Sequence, residues 1–395
     1  MISFEKSFAG IEIFVLLVVV LISFSGGVSG ELEVTKKVAA PPELQGLINP
    51  GKRPGGPTWL GADAATSIKI TPDRYVWLFG DSILGKEENG GRQYSWFIHN
   101  TIGVATRNRS GNFSEIKKYY RKINGKPAAI FSSKEDDHFY WPLVGADLDS
   151  SLLIAASKVT TKGSQNFRIL GTTIFRVKNP ADPPKDWTYE KRFLPKEDGI
   201  TWGSAVLNRN DSVYLFGQKG KGLSAKTVLS KISVREAKND KWDDRQYFAD
   251  GIWKKDSNPE ALKGLPGTSE TTIRHNSFFG WYCLQIPPFS FDVHLYTARR
   301  ITGPWTDRGS VYEIPSPWSS EKTEKGKHVF SAYAAKSHPE LAGEKNEIVL
   351  TYNVNLNPFV PGLSDKLGQY IGREKYSGLY IPRFVSLKFQ RNSQP

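Results

Sequence analysis

Residues 75–81 read YVWLFGD, an apolar stretch that follows Pro72-Asp73 and ends on an acid. Residues 213–217 read VYLFG and follow the turn-forming stretch 208–211. Aromatic and β-branched residues set between proline, glycine, asparagine and aspartate are typical of strands joined by tight turns. The two stretches therefore indicate a repeated β unit.

Three further segments have the same order of a short strand, a turn and a strongly apolar strand. These segments are residues 140–155, 268–284 and 331–352. The apolar strands recur roughly every 60 to 75 residues, which leaves room for about four strands per unit. The pattern predicts an all-β fold, a five-bladed β-propeller over residues 56–395.

In a propeller, the first strand of each blade lines the central channel. The prediction therefore brings one polar or aromatic residue from each unit to the axis. These residues are Asp63, Trp141, Trp202, Glu270 and Tyr333.

The first thirty residues differ from the rest. Lys6 precedes the unbroken apolar run Ile13–Phe24, and small residues follow up to Gly30. This order is typical of a signal peptide cleaved before Glu31, because the run is short for a bilayer span. We expect a signal peptide (1–30), a linker (31–55) and a secreted or periplasmic protein, with a retained N-terminal membrane anchor as the alternative.

Composition limits the kinds of partner and cofactor that we expect this protein to bind. The net charge is +13 and Cys283, inside an apolar strand, is the single cysteine, so no internal disulfide or thiolate metal cluster is expected. A basic surface suits anionic partners such as polysaccharide, and export makes nucleic acid the least favoured of them. Phosphate-loop, dinucleotide and serine-hydrolase motifs are absent. We expect a monomer with no cofactor and no catalytic metal, although a structural cation in the channel is an alternative.

Three acids are candidates for catalysis. Asp63 and Glu270 occupy predicted channel strands, and Asp81 ends the apolar strand beside Asp63. Cleavage of a glycosidic bond needs one protonated and one ionised carboxyl group, and a third acid can separate their pKa values. We expect Asp63 to act as base or nucleophile, Glu270 as acid, and Asp81 to tune the pair. The alternative role for Asp81 is to close a turn, and Asp147, Asp149 and Glu340 are alternative acids.

Seven side chains are candidates for binding sugar. Flat apolar rings and amide groups suit sugar rings and hydroxyls, although the tryptophans could equally be core residues and the asparagines could bond the backbone. His338 and Glu340 would form a pair at the channel mouth or stabilise a turn. The candidates are Trp141, Trp202, Asn100, Tyr333, His338, Glu340 and Asn353.

Four elements resemble a known family. They are Trp59-x-Gly61-Ala62-Asp63, residues 77–82 (WLFGDS), residues 298–305 ending in Gly-Pro-Trp, and residues 338–341 (HPEL). Together they are similar to a bacterial five-bladed propeller family, long catalogued as a domain of unknown function, that includes mycobacterial endo-D-arabinofuranases. The Gly-Pro-Trp element is also similar to one in arabinanase- and invertase-like propellers. The likeness covers nearly all of residues 56–390, and it implies catalytic acids on the inner strands, at Asp63, Asp81 and Glu270.

The sequence therefore favours an exported glycoside hydrolase that acts on a furanose-containing polysaccharide. The alternative is a non-catalytic propeller that binds glycan or a cell-surface partner. Such a module would keep the tryptophans but would need no matched acids.

Overall fold

The computed structural model describes residues 31–49, 57–88, 91–135, 137–162 and 167–392, and the predicted signal peptide lies outside these residues. The chain forms five antiparallel sheets around one axis, so the predicted five-bladed propeller is confirmed. The innermost strand of each sheet contacts those of the two neighbouring sheets, which closes the ring. None of the described helices is long and apolar enough to span a membrane.

The strands of each blade follow one another from the axis to the rim. Strand β1 (Leu32–Ala39) and helix α1 (Pro42–Ile48) precede the first blade. The first blade contains β2 (Thr58–Thr71), β3 (Arg74–Glu88), β4 (Gly91–Ile98), β5 (Thr101–Thr106) and β6 (Lys117–Tyr119), and a separate hairpin follows, β7 (Arg121–Ile123) and β8 (Lys126–Ala128). The second contains β9 (His138–Asp147), β10 (Leu152–Thr160), β11 (Arg168–Val177) and β12 (Tyr189–Pro195).

The remaining blades follow the same plan. The third contains β13 (Ile200–Arg209), β14 (Ser212–Lys219), β15 (Lys226–Ser233), helix α2 (Val234–Lys238), β16 (Gln246–Ala249) and β17 (Ile252–Lys254). The fourth contains β18 (Thr272–Asn276), β19 (Gly280–Gln285), β20 (Asp292–Ala298) and β21 (Thr306–Glu313). The fifth contains β22 (Phe330–Ser337), β23 (Glu347–Leu356), helix α3 (Leu367–Ile371) and β24 (Arg383–Arg391), and β1 is its outermost strand.

The second strand of each blade explains the repeated apolar pattern. Successive side chains on a strand point to opposite faces of the sheet. On β3, Leu78 packs in a core cluster with Ile154 of the second blade, whereas Phe79 packs in a different cluster with Phe384 of the fifth. Both faces of these strands are covered by neighbouring blades, so both sets of side chains are apolar.

The turn at residues 210–211 also follows from local chemistry. Asn210 and Asp211 both have positive φ, 50° and 55°, and they connect β13 to β14. A two-residue hairpin turn of this type requires such a backbone at both positions, and asparagine and aspartate tolerate it.

The N-terminal segment differs from the predicted linker. Strand β1 pairs antiparallel with β24, from Leu32 opposite Arg391 to Ala39 opposite Val385. Ile48 at the end of α1 is fully buried. The prolines at 41 and 42 mark the break between β1 and α1, so residues 32–48 belong to the propeller and close its last blade.

Candidate functional site

Asp63, Asp81 and Glu270 come together at the axis. Burial, the strongest effect, and then the nearby carboxylates of Asp81 and Glu270 raise the pKa of Asp63 well above its ordinary value. Asp63 lies on the inner strand β2 and Asp81 on the adjacent β3, as expected. Glu270 differs from the prediction, because it precedes the inner strand β18 and lies in the connection that leads into it.

The carboxyl group of Asp63 is held on three sides. The Tyr333 hydroxyl donates to Asp63 Oδ2 over 3.5 Å, and the Asp81 backbone N–H donates to the same carboxyl group. Gly80 provides the space on the third side, because a Cβ at that position would lie less than 3.0 Å from Asp63 Oδ1. The glycine of the YVWLFGD stretch is therefore required by the acid beside it.

A bulge in β2 directs Asp63 toward the axis. Ala64 and Ala65 have φ of 69° and 67°, and the pairing with β3 shifts register on either side of Ala64. Gly203 (φ 88°) follows Trp202 on β13, and Ala334 (φ 56°) follows Tyr333 on β22, also at register shifts. Bulges of this kind change the direction in which a side chain points and recur near active sites. The structure thus repeats one device on three inner strands.

Asp81 accepts two hydrogen bonds through one oxygen. His99 Nδ1 is 2.9 Å and Trp141 Nε1 is 2.7 Å from Asp81 Oδ1. Burial raises the pKa of Asp81, and the contacts with His99 and Trp141 oppose that rise. The structure therefore places Trp141 beside Asp81 and adds His99, which was not among the candidates from the sequence.

A buried lysine faces Glu270. Lys336 Nζ is 3.8 Å from Glu270 Oε2, and the side chain of Lys336 is 1% exposed. Burial raises the pKa of Glu270, and the positive charge of Lys336 opposes this. Among the described residues, Glu270 Oε2 has no hydrogen-bond partner. This oxygen has lone pairs available to a water molecule or a substrate.

Two residues of the site were missed by the sequence analysis. Burial and then Asp63 raise the pKa of the Tyr380 hydroxyl well above its ordinary value, which places that tyrosine beside the acids. Lys336 lies on the inner strand β22 in an otherwise apolar and small stretch, residues 334–337 (AAKS). A lysine at such a position is a detectable signal, because lysine is almost never fully buried unless it is paired.

The two asparagines predicted to bind sugar both donate to backbone carbonyls. Asn100 Nδ2 donates to the carbonyls of Phe131 and Tyr140, both at 2.9 Å, and Asn100 is fully buried. Asn353 Nδ2 donates to the Ala62 carbonyl over 2.9 Å. The Asn100 amide is fully engaged, since its Oδ1 accepts from the Phe131 backbone N–H. Asn353 fixes the backbone next to Asp63 through Nδ2, and its Oδ1 has no hydrogen-bond partner among the described residues.

His338 and Glu340 also differ from the prediction. His338 is fully buried, with Nδ1 2.7 Å from Ser67 Oγ and Nε2 2.9 Å from Thr351 Oγ1, and its ring stacks on Trp77. Both ring nitrogens are thus occupied by the protein. Glu340 follows the far end of β22, where burial raises its pKa and Ser67 donates to it. This pair therefore lies at the opposite end of the channel from the acids.

Trp202 and two of the alternative acids, Asp147 and Asp149, lie away from the acid cluster. Trp202 is buried on β13 and packs against Tyr247 in the core between the second and third blades. Its ring therefore offers no platform for a sugar. Asp147 ends the inner strand β9 at the turn that leads to β10, and Asp149 lies in that turn. Both are distant along the channel from the start of β9, where Trp141 contacts Asp81.

The three carboxyl groups differ in how strongly their surroundings favour the ionised form. Three neighbouring carboxyl groups in a buried setting resist being ionised together. Glu270 has a cation beside it and Asp81 has two N–H donors, whereas Asp63 has no cation among the causes of its pKa. The pKa of Asp63 is raised well above its ordinary value, so its surroundings favour the protonated form. Among the described residues, no group of three or more histidine, cysteine, aspartate or glutamate side chains is arranged to hold a metal ion.

Several solved structures are similar to this chain. A provisionally assigned hydrolase from Bacteroides ovatus ATCC 8483 is similar at a TM-score of 0.66 and 15% identity, over 91% of this chain and 93% of that chain. An α-L-arabinofuranosidase from Podospora anserina, solved with cellotriose, is similar at a TM-score of 0.44 and 12% identity, over 92% and 97%. A GH43_1 enzyme from Xanthomonas citri is similar at a TM-score of 0.45 and 8% identity, over 90% and 94%.

No curated protein matches this sequence. A family model does match it, and its description is that of a domain of unknown function, as the resemblance predicted. The grouping with mycobacterial endo-D-arabinofuranases stays a prediction. Because the match spans residues 54–389, most of the chain, this protein belongs to the DUF5005 family.

Proposed function

We propose that this protein is an exported glycoside hydrolase that cleaves a furanose-containing polysaccharide at the propeller axis. One observation carries the proposal: three buried carboxyl groups lie together, with the buried lysine Lys336 beside one of them. Glycosidic cleavage requires one carboxyl group that is protonated and one that is ionised. A module that only binds sugar has no need to bury three acids side by side, because each buried charge destabilises the fold.

The roles that we propose reverse those expected from the sequence. Asp63 holds the proton and donates it to the glycosidic oxygen as the bond between that oxygen and the anomeric carbon breaks. Glu270, ionised beside Lys336, either activates the water that attacks the anomeric carbon or attacks it directly. Asp81 keeps Asp63 protonated by its negative charge. The electron pair of the broken bond leaves with the oxygen that Asp63 protonates, and where water attacks, its proton passes to Glu270.

Two substrates separate these roles. A natural polysaccharide has a poor leaving group and needs the acid, whereas a 4-nitrophenyl furanoside has a good leaving group and needs it much less. We expect Asp63→Asn to lose about 10²- to 10⁴-fold in kcat on polysaccharide but far less on the nitrophenyl substrate. Glu270→Gln should lose both activities.

Asp147→Asn is the matched control, since this acid lies at the other end of β9. It should retain parental activity on both substrates. Substrates come from a screen of arabinan, fructan and arabinogalactan and their nitrophenyl glycosides. Two folded variants, Asp63→Asn and Glu270→Gln, that both cleave within about threefold of the parent would remove these acids from the machinery. Parental binding without any turnover would favour the binding-module alternative.

A further inference from the structure

Large aromatic side chains are exposed on the face of the propeller that carries the acids. Phe97 is 45% exposed, Phe167 48%, Phe289 71% and Phe359 68%. Single exposed apolar residues need no explanation, whereas groups of them on one face mark binding surfaces. These four residues form two groups.

The first group, the blade 1–2 patch, is a row of five rings that reaches the acid cluster. Consecutive ring centroids lie 5.9, 3.7, 5.5 and 4.8 Å apart in the order Phe97, His99, Phe139, Trp141, Phe167. Both His99 and Trp141 contact Asp81. The row therefore has an exposed ring at each end, Phe97 and Phe167, and meets the proposed reaction centre between them.

The second group, the blade 4–5 pair, consists of Phe289 and Phe359, with ring centroids 5.5 Å apart. Phe289 lies between β19 and β20, and Phe359 follows β23. Phe289 has a φ of 65°, a left-handed backbone that bulky residues rarely adopt. Two bulky apolar rings are thus exposed to solvent side by side, and one of them, Phe289, has a backbone conformation that favours glycine.

Topology places both groups on one face. Strands alternate in direction, so the connection from the second to the third strand of a blade lies at the end where the inner strand begins. Phe167, Phe289 and Phe359 lie in such connections, and Glu270 lies just before an inner strand. The first group is at blades one and two and the second at blades four and five, so they lie in different sectors of the ring around the axis.

We propose that a glycan chain lies across this face, from the blade 1–2 patch over the acids to the blade 4–5 pair, and is cut internally. The inference rests on the proposed function and adds to it the length of the substrate and the place of the cut. Aromatic rings flanking polar groups in a recess suit sugar rings, which have apolar faces and hydroxyl edges. A ligand that contacts both aromatic groups has sugar units on each side of the bond that is cut, so it is a polymer.

Two double variants test the two sides: Phe97→Ala with Phe167→Ala, and Phe289→Ala with Phe359→Ala. The matched control is Phe193→Ala, another exposed phenylalanine, on the outer strand β12. Each double variant should raise KM for the cleaved polysaccharide about tenfold, from the loss of two ring contacts. Their kcat/KM on the nitrophenyl furanoside should stay within about twofold of the parent, as should all values for the control.

Binding is also measured without catalysis, so that failure of the patches and failure of the proposed function are distinguishable. The probe is electrophoretic retardation in gels that contain arabinan, fructan or arabinogalactan, with Asp63→Asn/Glu270→Gln as the background. Loss of retardation in both double variants supports the surface even if no substrate is ever cleaved. The proposal is overturned if none of the three polysaccharides retards the protein. It is also overturned if only one of the two double variants loses retardation.

The products test the place of the cut. Early release of mixed oligosaccharides, with a rapid fall in viscosity, is expected for a chain that lies on both sides of the acids. Release of monosaccharide alone from chain ends overturns the proposal, even if both double variants bind less tightly.

Discussion

Replacing Gly80 by alanine should disable catalysis while leaving the propeller folded. The added Cβ would lie less than 3.0 Å from Asp63 Oδ1. To regain ordinary contact, the carboxyl group must move by about 1 Å. A shift of about 1 Å in a catalytic group costs about 10²-fold in rate.

The assay is kcat on the cleaved polysaccharide, measured together with the melting temperature. Gly46→Ala is the matched control, because a Cβ at that helical position meets nothing within 4 Å. It should keep full activity, and alanine favours the helix over glycine. If Gly80→Ala cleaves polysaccharide within about threefold of the parent, the carboxyl position deduced for Asp63 is not the one that catalysis uses.

Three further predictions concern the charge of Glu270, the ends of the sheet and the leader. In Lys336→Met, the pKa of Glu270 should rise, because the lysine charge that lowers it is gone, and the acidic limb of the pH–rate profile should move to higher pH; an unmoved limb would show that Lys336 leaves Glu270 unaffected. Deleting residues 31–39 removes strand β1 from the last blade and should lower the free energy of unfolding by about 2–5 kcal/mol, measured by urea titration; an unchanged midpoint would make β1 dispensable. N-terminal sequencing of exported protein should begin near Glu31, whereas Met1 at the N-terminus would favour the anchor.

The repeated part of this structure was predictable from the sequence. A strand that is buried on both faces has apolar side chains on each face, so its sequence reads as a continuous apolar run. Residues 75–81 and 213–217 show such a run in two blades. Asp63 and Asp81 followed from their places at the start and end of paired strands. Strand β1 was missed because an edge strand that pairs on one side shows only weak alternation, as in residues 32–39 (LEVTKKVA).

The part that sequence could not supply concerns partners distant along the chain. His338 and Ser67 are 271 residues apart, and only the closed ring brings the imidazole to that hydroxyl. Asn353 likewise bonds Ala62 across 291 residues. Histidine and asparagine suit both a ligand and a backbone group, so their local sequence does not distinguish the two uses. Lys336 is the reverse case, a charge whose burial is explained only by the acid that the fold places opposite it.

The acid cluster should also destabilise the protein, which gives a test that needs no substrate. The folded state raises the pKa of Asp63 above its unfolded value, so the protonated carboxyl group is the form that folding favours. That stability is fully present below the unfolded pKa and is lost as pH rises through the folded pKa. Asp63→Asn cannot ionise and keeps the shape, so its melting temperature should match the parent at pH 3 and exceed it increasingly toward pH 8. A site that sacrifices stability for reactivity behaves in this way. A variant that melts below the parent at every pH would mean that the Asp63 carboxyl group stabilises the fold, and the proposed role as proton donor would lose its electrostatic basis.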